Sequence, residues 1–134
     1  MVDPISDMLT RIRNATAVGK EEIVLPYSRF KFNLAQILEK EKFIEKAELL
    51  APLDEGKTGF KQIKCVLKYD GKISVIKYLK KISKPGQRIY IKKDKIPKIF
   101  GRKGLFIVST PRGLMTGREA IEGNLGGELI CEIY

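Results

Sequence analysis

The sequence contains no histidine and only two cysteines, Cys65 and Cys131. Without histidine the chain lacks Ser-His-Asp and Cys-His catalysis, histidine-bound zinc and the usual general base of neutral pH. Two cysteines are too few for a disulfide scaffold or a four-ligand metal site. We therefore expect no catalytic group of these classes, no bound metal and no cofactor.

Long hydrophobic runs are also missing. The longest, residues 105–108, is far shorter than the roughly 20 residues that a membrane-spanning helix needs. Residues 1–7 include acids where a secretory signal needs bases, and no apolar segment follows them. Both cysteines lie among apolar neighbours in strand-like segments, as reduced core thiols of cytoplasmic proteins do. These features predict a cytoplasmic protein that makes no membrane contact.

Positive charge is what the sequence has in excess. Its 134 residues include 26 lysines and arginines against 16 acids, a formal net charge of +10, and 43% of them are hydrophobic. This length and composition suit one folded domain or two small ones. Residues 71–103 hold 12 bases and one acid, whereas residues 1–70 are nearly balanced. A solvated basic face explains scattered lysines, but an uncompensated stretch favours a polyanion, because phosphate contacts release condensed counterions.

The first half of the chain has the pattern of an α-β-α-β-β domain over residues 1–70. Asp3-Pro4 can begin a helix whose apolar residues recur at helical spacing up to Gly19, and Ser28 can cap a second helix. Strands are predicted over residues 23–25, 43–50 and 60–69. Asp70-Gly71 is a turn signal and the predicted domain boundary.

The second half, residues 71–134, has the pattern of a mostly β domain with a short helix. Strands are predicted over residues 73–76, 88–92, 105–109 and 128–134, with a single helical turn over residues 95–100. Thr116 and Glu119 fit a capping box that opens a short helix ending near Gly123. The predicted class of the whole chain is therefore α+β, in two small domains.

Residues 104–120 form the most distinctive segment. An apolar strand ends in Ser109 and Thr110, and Pro111 and Gly113 then fix a tight turn before the capped helix. Hydroxyls and backbone amides on a rigid turn suit the shallow minor groove of RNA, which is lined by ribose 2′-hydroxyls. The alternative is a Ser/Thr turn that closes the strand with its own hydroxyls.

Six sequence blocks, in order, span nearly the whole chain: residues 3–15 (DPISDMLTRIRNA), 43–45 (FIE), 67–69 (LKY), 84–90 (KPGQRIY), 108–116 (VSTPRGLMT) and 125–131 (LGGELIC). Together they resemble the family of bacterial small ribosomal subunit protein eight. One departure is Pro111, which stands where the family usually has a third serine and removes a hydroxyl and an amide donor. Position 111 therefore offers neither a hydroxyl nor an amide donor for a contact.

The resemblance implies two α+β domains, the second mostly β, in agreement with the pattern above. It implies a primary binder of the central domain of 16S ribosomal RNA that helps to assemble the platform of the small subunit. Its implied protein neighbours are the small-subunit proteins five and twelve. In some bacteria the family also represses translation of its own operon messenger, whose stem mimics the ribosomal site.

The candidate RNA-binding residues fall into three groups. In the distinctive segment, Ser109 and Thr110 are expected to touch base edges and 2′-hydroxyls, Gly113 to let the backbone approach, and Arg112 to contact the RNA. Beside it, Tyr90 is expected to stack or donate its hydroxyl, with a core position as the alternative, and Lys84 and Arg88 to contact RNA. In the N-terminal domain, Thr10, Arg13 and Lys31 are candidates, the last two as phosphate contacts. Loop-supporting roles are expected for Glu128, Asp3 and Pro111, with Glu128 accepting hydrogen bonds from the loop rather than meeting the RNA. Thr10 and Asp3 serve equally as helix-start residues, and for Asp3 the helix cap is the favoured alternative.

Three other functional classes compete with this interpretation. A magnesium-dependent nuclease needs no histidine, but no cluster of acids accompanies the basic segment, and phosphate-loop motifs are missing. A module for acidic proteins would use the same lysines, and competition by RNA would distinguish it. A dedicated messenger regulator outside the ribosome stays open, because it would use the same surface. We therefore expect a protein that is not an enzyme.

Overall fold

The computed structural model describes residues 4–50, 61–84, 86–92 and 105–134. The predicted α+β class is confirmed, since helices and sheets both contribute. The chain divides into two compact units, residues 1–76 and residues 77–134, called unit 1 and unit 2 below. The division lies between Ile76 and Lys77, shortly after the Asp70-Gly71 turn.

Unit 1 packs two helices on a three-stranded antiparallel sheet of strand order β1-β3-β2. Its elements are α1 (Pro4–Ala17), β1 (Glu22–Pro26), α2 (Arg29–Lys40), β2 (Ile44–Leu50) and β3 (Gln62–Leu67). A short hairpin follows, made of β4 (Tyr69–Asp70) and β5 (Ile73–Ser74), and Gly71 adopts a φ of +66° in its turn.

The predicted periodicities explain the burial in unit 1. The helical spacing in α1 places Met8, Leu9 and Ile12 in the core, at 1% exposure or less. The N-cap of α2 is Ser28, whose hydroxyl accepts a hydrogen bond from the Lys31 backbone N–H at 3.1 Å. In β3 the buried residues alternate with partly exposed or exposed ones, so that one face of the pleat covers the core.

Unit 2 is built around its last strand. Its elements are β6 (Leu79–Lys81), β7 (Tyr90–Ile91), β8 (Leu105–Thr110), β9 (Gly113–Thr116), α3 (Gly117–Glu122) and β10 (Gly127–Ile133). All pairings are antiparallel: β10 pairs with β6 and β7, also with β8, and β8 pairs with β9. Phe106, Val108 and Leu129 form a buried cluster covered by Ile82, Ile89 and Ile91.

Three strands of unit 2 differ from the sequence prediction. β9 lies between the Pro111 turn and α3, where the sequence indicated a turn leading directly into the helix. β7 is shorter than the strand predicted over residues 88–92. β6 lies where the sequence predicted no strand. The helical turn predicted for residues 95–100 lies outside the described residues. Among the described helices, none has the length and apolar composition to cross a membrane.

Candidate nucleic-acid interface

The turn between β8 and β9 is closed by a side chain. Thr110 pairs with Gly113 across the hairpin, and Pro111 and Arg112 form the connection between them. The Thr110 hydroxyl donates a hydrogen bond to the Gly113 carbonyl at 2.9 Å and accepts one from the Arg112 backbone N–H at 3.2 Å. Gly113 has a φ of +114°, which favours glycine. Thr110 is buried, so in this structure its hydroxyl holds the turn, while Pro111, Arg112 and Gly113 are exposed.

Three predicted residues form a row across the sheet. Glu128 in β10 pairs with Tyr90 in β7 on one side and with Ser109 in β8 on the other. Directly paired residues of antiparallel strands project from the same face. The Tyr90 side chain is at the exposed end of this row, with 71% of the residue accessible, and Ser109 is half-buried. The register therefore brings an aromatic ring, a carboxylate and a hydroxyl together beside the Thr110–Gly113 turn.

Glu128 also holds residues 83–89, which lie between β6 and β7 and which we call the basic turn. Its Oε2 accepts hydrogen bonds from the Ser83 hydroxyl at 2.5 Å and from Arg88 Nη1 at 3.2 Å. The sequence predicts that Glu128 supports the loop of Ser109 and Thr110, whereas these two side-chain hydrogen bonds to its carboxylate come from the basic turn. Lys84 and Gln87 exchange backbone hydrogen bonds inside it, at 3.1 and 2.9 Å.

Gly127 allows β10 to approach β8 at the position of the predicted contact residues. A Cβ atom at Gly127 would lie 2.0 Å from the Ser109 carbonyl oxygen and 3.1 Å from Thr110 Cα. Real Cβ atoms essentially never lie within 3.0 Å of a non-bonded heavy atom, so the contact with the Ser109 carbonyl means that any other residue would displace the end of β8. The position of Ser109 in β8 therefore depends on a glycine in the neighbouring strand β10.

The basic turn lies in an electropositive region. Burial lowers the pKa of Lys81, the Arg88 guanidinium lowers it further, and Glu128 acts in the opposite direction. Lys84, Arg88 and Lys92 are exposed, as is Arg112 on the hairpin turn. Among the described residues of this part of unit 2, the Glu128 carboxylate therefore lies among several cations, and a phosphate would find an excess of positive charge.

The remaining predicted residues belong to unit 1. Thr10 and Arg13 are exposed residues of α1, and Lys31, in the first turn of α2, is buried at 7% exposure. Asp3 lies outside the described residues. The structure thus groups Ser109, Thr110, Pro111, Arg112, Gly113, Tyr90, Lys84, Arg88 and Glu128 in unit 2, and the candidates in unit 1 form a separate set.

Sequence reasoning assigned no role to Ser83 or Gly127. Ser83 is fully buried and its hydroxyl also accepts a hydrogen bond from the Ile89 backbone N–H at 3.1 Å. The signal available for Ser83 is a polar residue between strand-like apolar positions and Pro85-Gly86. For Gly127, the signal is the pair of glycines directly before Glu128, where a strand begins.

The two cysteines have no chemistry of their own in this arrangement. Both are free and buried, and burial raises the pKa of Cys65 to about 11 and that of Cys131 to about 12. A thiol with so high a pKa is a poor nucleophile at neutral pH. Within the ranges that the structure describes, acids and cysteines nowhere gather in a group of three that would hold a metal ion.

Known proteins similar to this chain match it over its full length. The family model described as ribosomal protein S8 covers residues 3–134. The small ribosomal subunit protein uS8 of Vesicomyosocius okutanii is 46% identical over 134 residues, which span 100% of this chain and 98% of the relative. The proteins of the same name from Caldanaerobacter subterraneus and Natranaerobius thermophilus are each 47% identical over 135 residues, with the same coverage.

Proposed function

This chain belongs to the ribosomal protein S8 family, and from that premise we propose that it binds the central domain of 16S ribosomal RNA and helps to assemble the platform of the small subunit. The resemblance drawn from the six sequence blocks is confirmed. As a member of the family, the chain is a structural, non-enzymatic constituent of the small ribosomal subunit in the cytoplasm. It associates there with ribosomal RNA.

The observation that carries the proposal is the row of Tyr90, Glu128 and Ser109 beside an exposed two-residue turn. RNA-binding surfaces combine aromatic rings for stacking, hydroxyls and amides for base edges and 2′-hydroxyls, and cations for phosphates. All three kinds of group meet in this part of unit 2, where Lys84, Arg88 and Arg112 supply the cations. A module for acidic proteins would need the cations but would have no use for the aromatic and hydroxyl row.

We assign the contacts according to exposure. Ser109 and Tyr90 meet bases and ribose, the backbone at Gly113 permits close approach, and Arg112 contacts the RNA from the exposed turn. Thr110 contributes in the first place by fixing that turn, because a base contact would require its hydroxyl to leave Gly113. Pro111 is part of the same turn and supports it, but its side chain has no polar group that could contact RNA. Lys84 and Arg88 bind phosphates.

For unit 1 we propose positioning contacts that carry no sequence information. Arg13 is exposed on α1 and suits a phosphate, and Thr10 lies one helical turn before it. Lys31 follows the N-cap of α2, and a phosphate contact there would have to reach a side chain that is largely covered. Asp3 keeps the role of a helix-start residue that supports this region.

The test compares binding to a central-domain fragment of 16S ribosomal RNA with binding to a generic duplex of equal length, over a series of salt concentrations. We expect the fragment to bind at least about a thousandfold more tightly, with a preference that persists as salt rises, since shape readout is not a counterion effect. Equal binding that fades in parallel for both RNAs would contradict the proposal and leave only lysine–phosphate attraction.

A hydroxyl series separates readout from support in the same assay. Ser109→Ala should weaken binding to the fragment by about 1–3 kcal/mol while binding to the duplex changes little. Thr110→Ser should bind like the unmodified protein, because serine retains the hydroxyl that closes the turn, whereas Thr110→Ala should not. If both alanine variants fold and bind the fragment normally, the assignment of this segment is wrong.

We propose the finer partnerships on the same basis. Contacts with the small-subunit proteins five and twelve would form within the assembled particle, and crosslinking of the particle would test them. Repression of the chain's own operon messenger would use the ribosomal RNA surface, so messenger and fragment should compete for one site. Simultaneous binding of both RNAs would contradict the shared surface. It would favour instead a regulator that acts outside the ribosome.

A further inference from the structure

We propose that Ser83 is a positioning residue for RNA binding, and that its hydroxyl, acting through Glu128, holds the basic turn in the conformation that presents Lys84 and Arg88. The inference rests on the proposed RNA-binding function of unit 2 and deepens it. Ser83 contacts no RNA in this proposal. It acts on the two side chains that do.

The first observation is how the Ser83 hydroxyl is used. Ser83 is completely buried, and its Oγ accepts a hydrogen bond from the Ile89 N–H at 3.1 Å while donating one to Glu128 Oε2 at 2.5 Å. Ser83 and Ile89 are the two ends of the basic turn. The hydroxyl therefore links both ends of the turn to each other and to the central strand β10.

The second observation is that the Ser83 hydroxyl has no access to solvent, because the residue is completely buried. Ile82, its neighbour in the chain, and Ile89 pack against the cluster of Phe106, Val108 and Leu129. A buried hydroxyl is unfavourable unless it is hydrogen-bonded, and a small apolar side chain would avoid that requirement. A serine here is thus explained by its hydrogen bonds and not by packing, and those bonds act on the basic turn.

The third observation is that Ser83 and Arg88 bind the same carboxylate oxygen. Arg88 Nη1 lies 3.2 Å from Glu128 Oε2, and the Arg88 side chain is 46% exposed. An ion pair so exposed is weak and exchanges readily. When Arg88 turns to a phosphate, Ser83 keeps the half-buried carboxylate hydrogen-bonded, which lowers the cost of releasing the arginine. Without the Ser83 hydroxyl, the release of Arg88 would leave Glu128 Oε2 without either of these two hydrogen-bond donors.

The experiment uses the full chain and two independent readouts. In the free protein, Ser83→Ala removes the acceptor of the Ile89 N–H, so hydrogen exchange at Ile89 should accelerate about tenfold. With the 16S fragment, the same variant should bind about tenfold more weakly and show a salt slope reduced by about one, since one phosphate contact is no longer held in place.

A matched control separates positioning from general stability. Thr116 is also a buried hydroxyl of unit 2, 2% exposed, and it accepts the Glu119 N–H at 3.2 Å as the N-cap of α3. Thr116→Ala should lower stability like Ser83→Ala. It should leave both the salt slope and exchange at Ile89 unchanged.

RNA affinities of combined variants distinguish positioning from a merely structural role. In a background carrying Lys84→Ala and Arg88→Ala, adding Ser83→Ala should cause no further loss of RNA affinity, because the groups it positions are already gone. Full additivity would overturn the inference. If Ser83→Ala does not fold, Glu128→Gln serves in its place: its amide oxygen still accepts from Ser83, so we expect protected exchange at Ile89, and fast exchange would contradict the linkage.

The outcomes for this inference and for the proposed function are distinct. Unmodified protein that does not prefer the 16S fragment over the duplex contradicts the proposed function, whatever the variants do. Unmodified protein that prefers the fragment, together with a Ser83→Ala variant of normal affinity and slope, overturns the role of Ser83 alone.

Discussion

At the scale of single residues, Gly127 makes the sharpest prediction about the fold around the site. A Cβ at Gly127 would meet the Ser109 carbonyl oxygen at 2.0 Å, whereas a Cβ at Gly86 would meet nothing within 4 Å. Gly127→Ala should therefore destabilise the protein by about 1–3 kcal/mol, as overpacking does, and move Ser109. Gly86→Ala should be neutral or slightly stabilising, because it restricts the unfolded chain.

Urea unfolding of the two glycine variants checks this prediction. A lower midpoint for Gly127→Ala at unchanged denaturant dependence is the expected result, together with weaker binding to the 16S fragment. Equal midpoints for the two variants would mean that β8 yields without cost, and the close approach of β10 would then not determine where Ser109 lies.

The buried thiols predict how stability changes at alkaline pH. Burial raises the pKa of Cys65 to about 11 and of Cys131 to about 12, from an ordinary value of 9.0, so the folded state keeps protons that the unfolded state releases. The contribution of the neutral thiols is intact below pH 9 and lost as pH rises toward 11 and 12. Unfolding measured from pH 7 to 10.5 should show a steeper decline for the unmodified protein than for a Cys65→Ala, Cys131→Ala variant. Equal dependence of stability on pH in the two proteins would contradict the raised pKa of the buried thiols.

At the scale of elements, the capping box of α3 predicts a local loss of stability. The Thr116 hydroxyl accepts the Glu119 N–H, and the Glu119 carboxylate accepts the Thr116 N–H at 3.3 Å. Thr116→Ala should cost about 1 kcal/mol in urea unfolding. The control is Thr16→Ala, since the Thr16 hydroxyl donates to the Arg13 carbonyl near the exposed end of α1, and its loss should stay within about 0.5 kcal/mol. Equal losses would show that the capping box adds nothing.

The elements that the sequence predicted well are those with a strong period or a local signal. The apolar spacing of α1, the Ser28 cap of α2, the alternation in β3 and the capping box of α3 each depend on residues close in the chain. β6 and β9 were missed because their existence depends on pairing with β10 and β8. A three- or four-residue strand has too little pattern of its own to predict.

The same distinction applies to the candidate site. The common place of Ser109, Thr110 and Gly113 at one turn could be predicted, because an apolar strand, two hydroxyls and a turn follow one another in the sequence. The place of Ser83 could not, since its partners are Glu128, which is 45 positions away, and the Ile89 N–H. The sequence indicates which groups a site offers. Which groups hold them in place depends on strand register.

At the scale of the whole molecule, charge is distributed unevenly along the chain. Residues 71–103 hold 12 bases and one acid, while the exposed sheet of unit 1 neutralises its lysines in pairs. On that sheet, Lys46 lies 2.7 Å from Glu48 and Lys64 lies 3.1 Å from Glu22. In the basic turn, by contrast, Glu128 is the paired acid among the described residues, and it pairs with Arg88. The two surfaces therefore differ in how much of their positive charge is paired with carboxylates.

This difference leads to a prediction that separates contact from net charge. Lys84→Ala and Lys46→Ala each remove one positive charge, from the basic turn and from the Glu48 pair respectively. If the basic turn meets phosphates, Lys84→Ala should lower the slope of log K against log salt by about one for fragment and duplex alike. Lys46→Ala should leave the slope unchanged, because Lys46 is already paired with Glu48. Binding measured at five or more salt concentrations decides the matter: equal slopes for the two variants would mean that only the total charge of the chain counts, whereas a loss confined to Lys84→Ala places a phosphate at the basic turn.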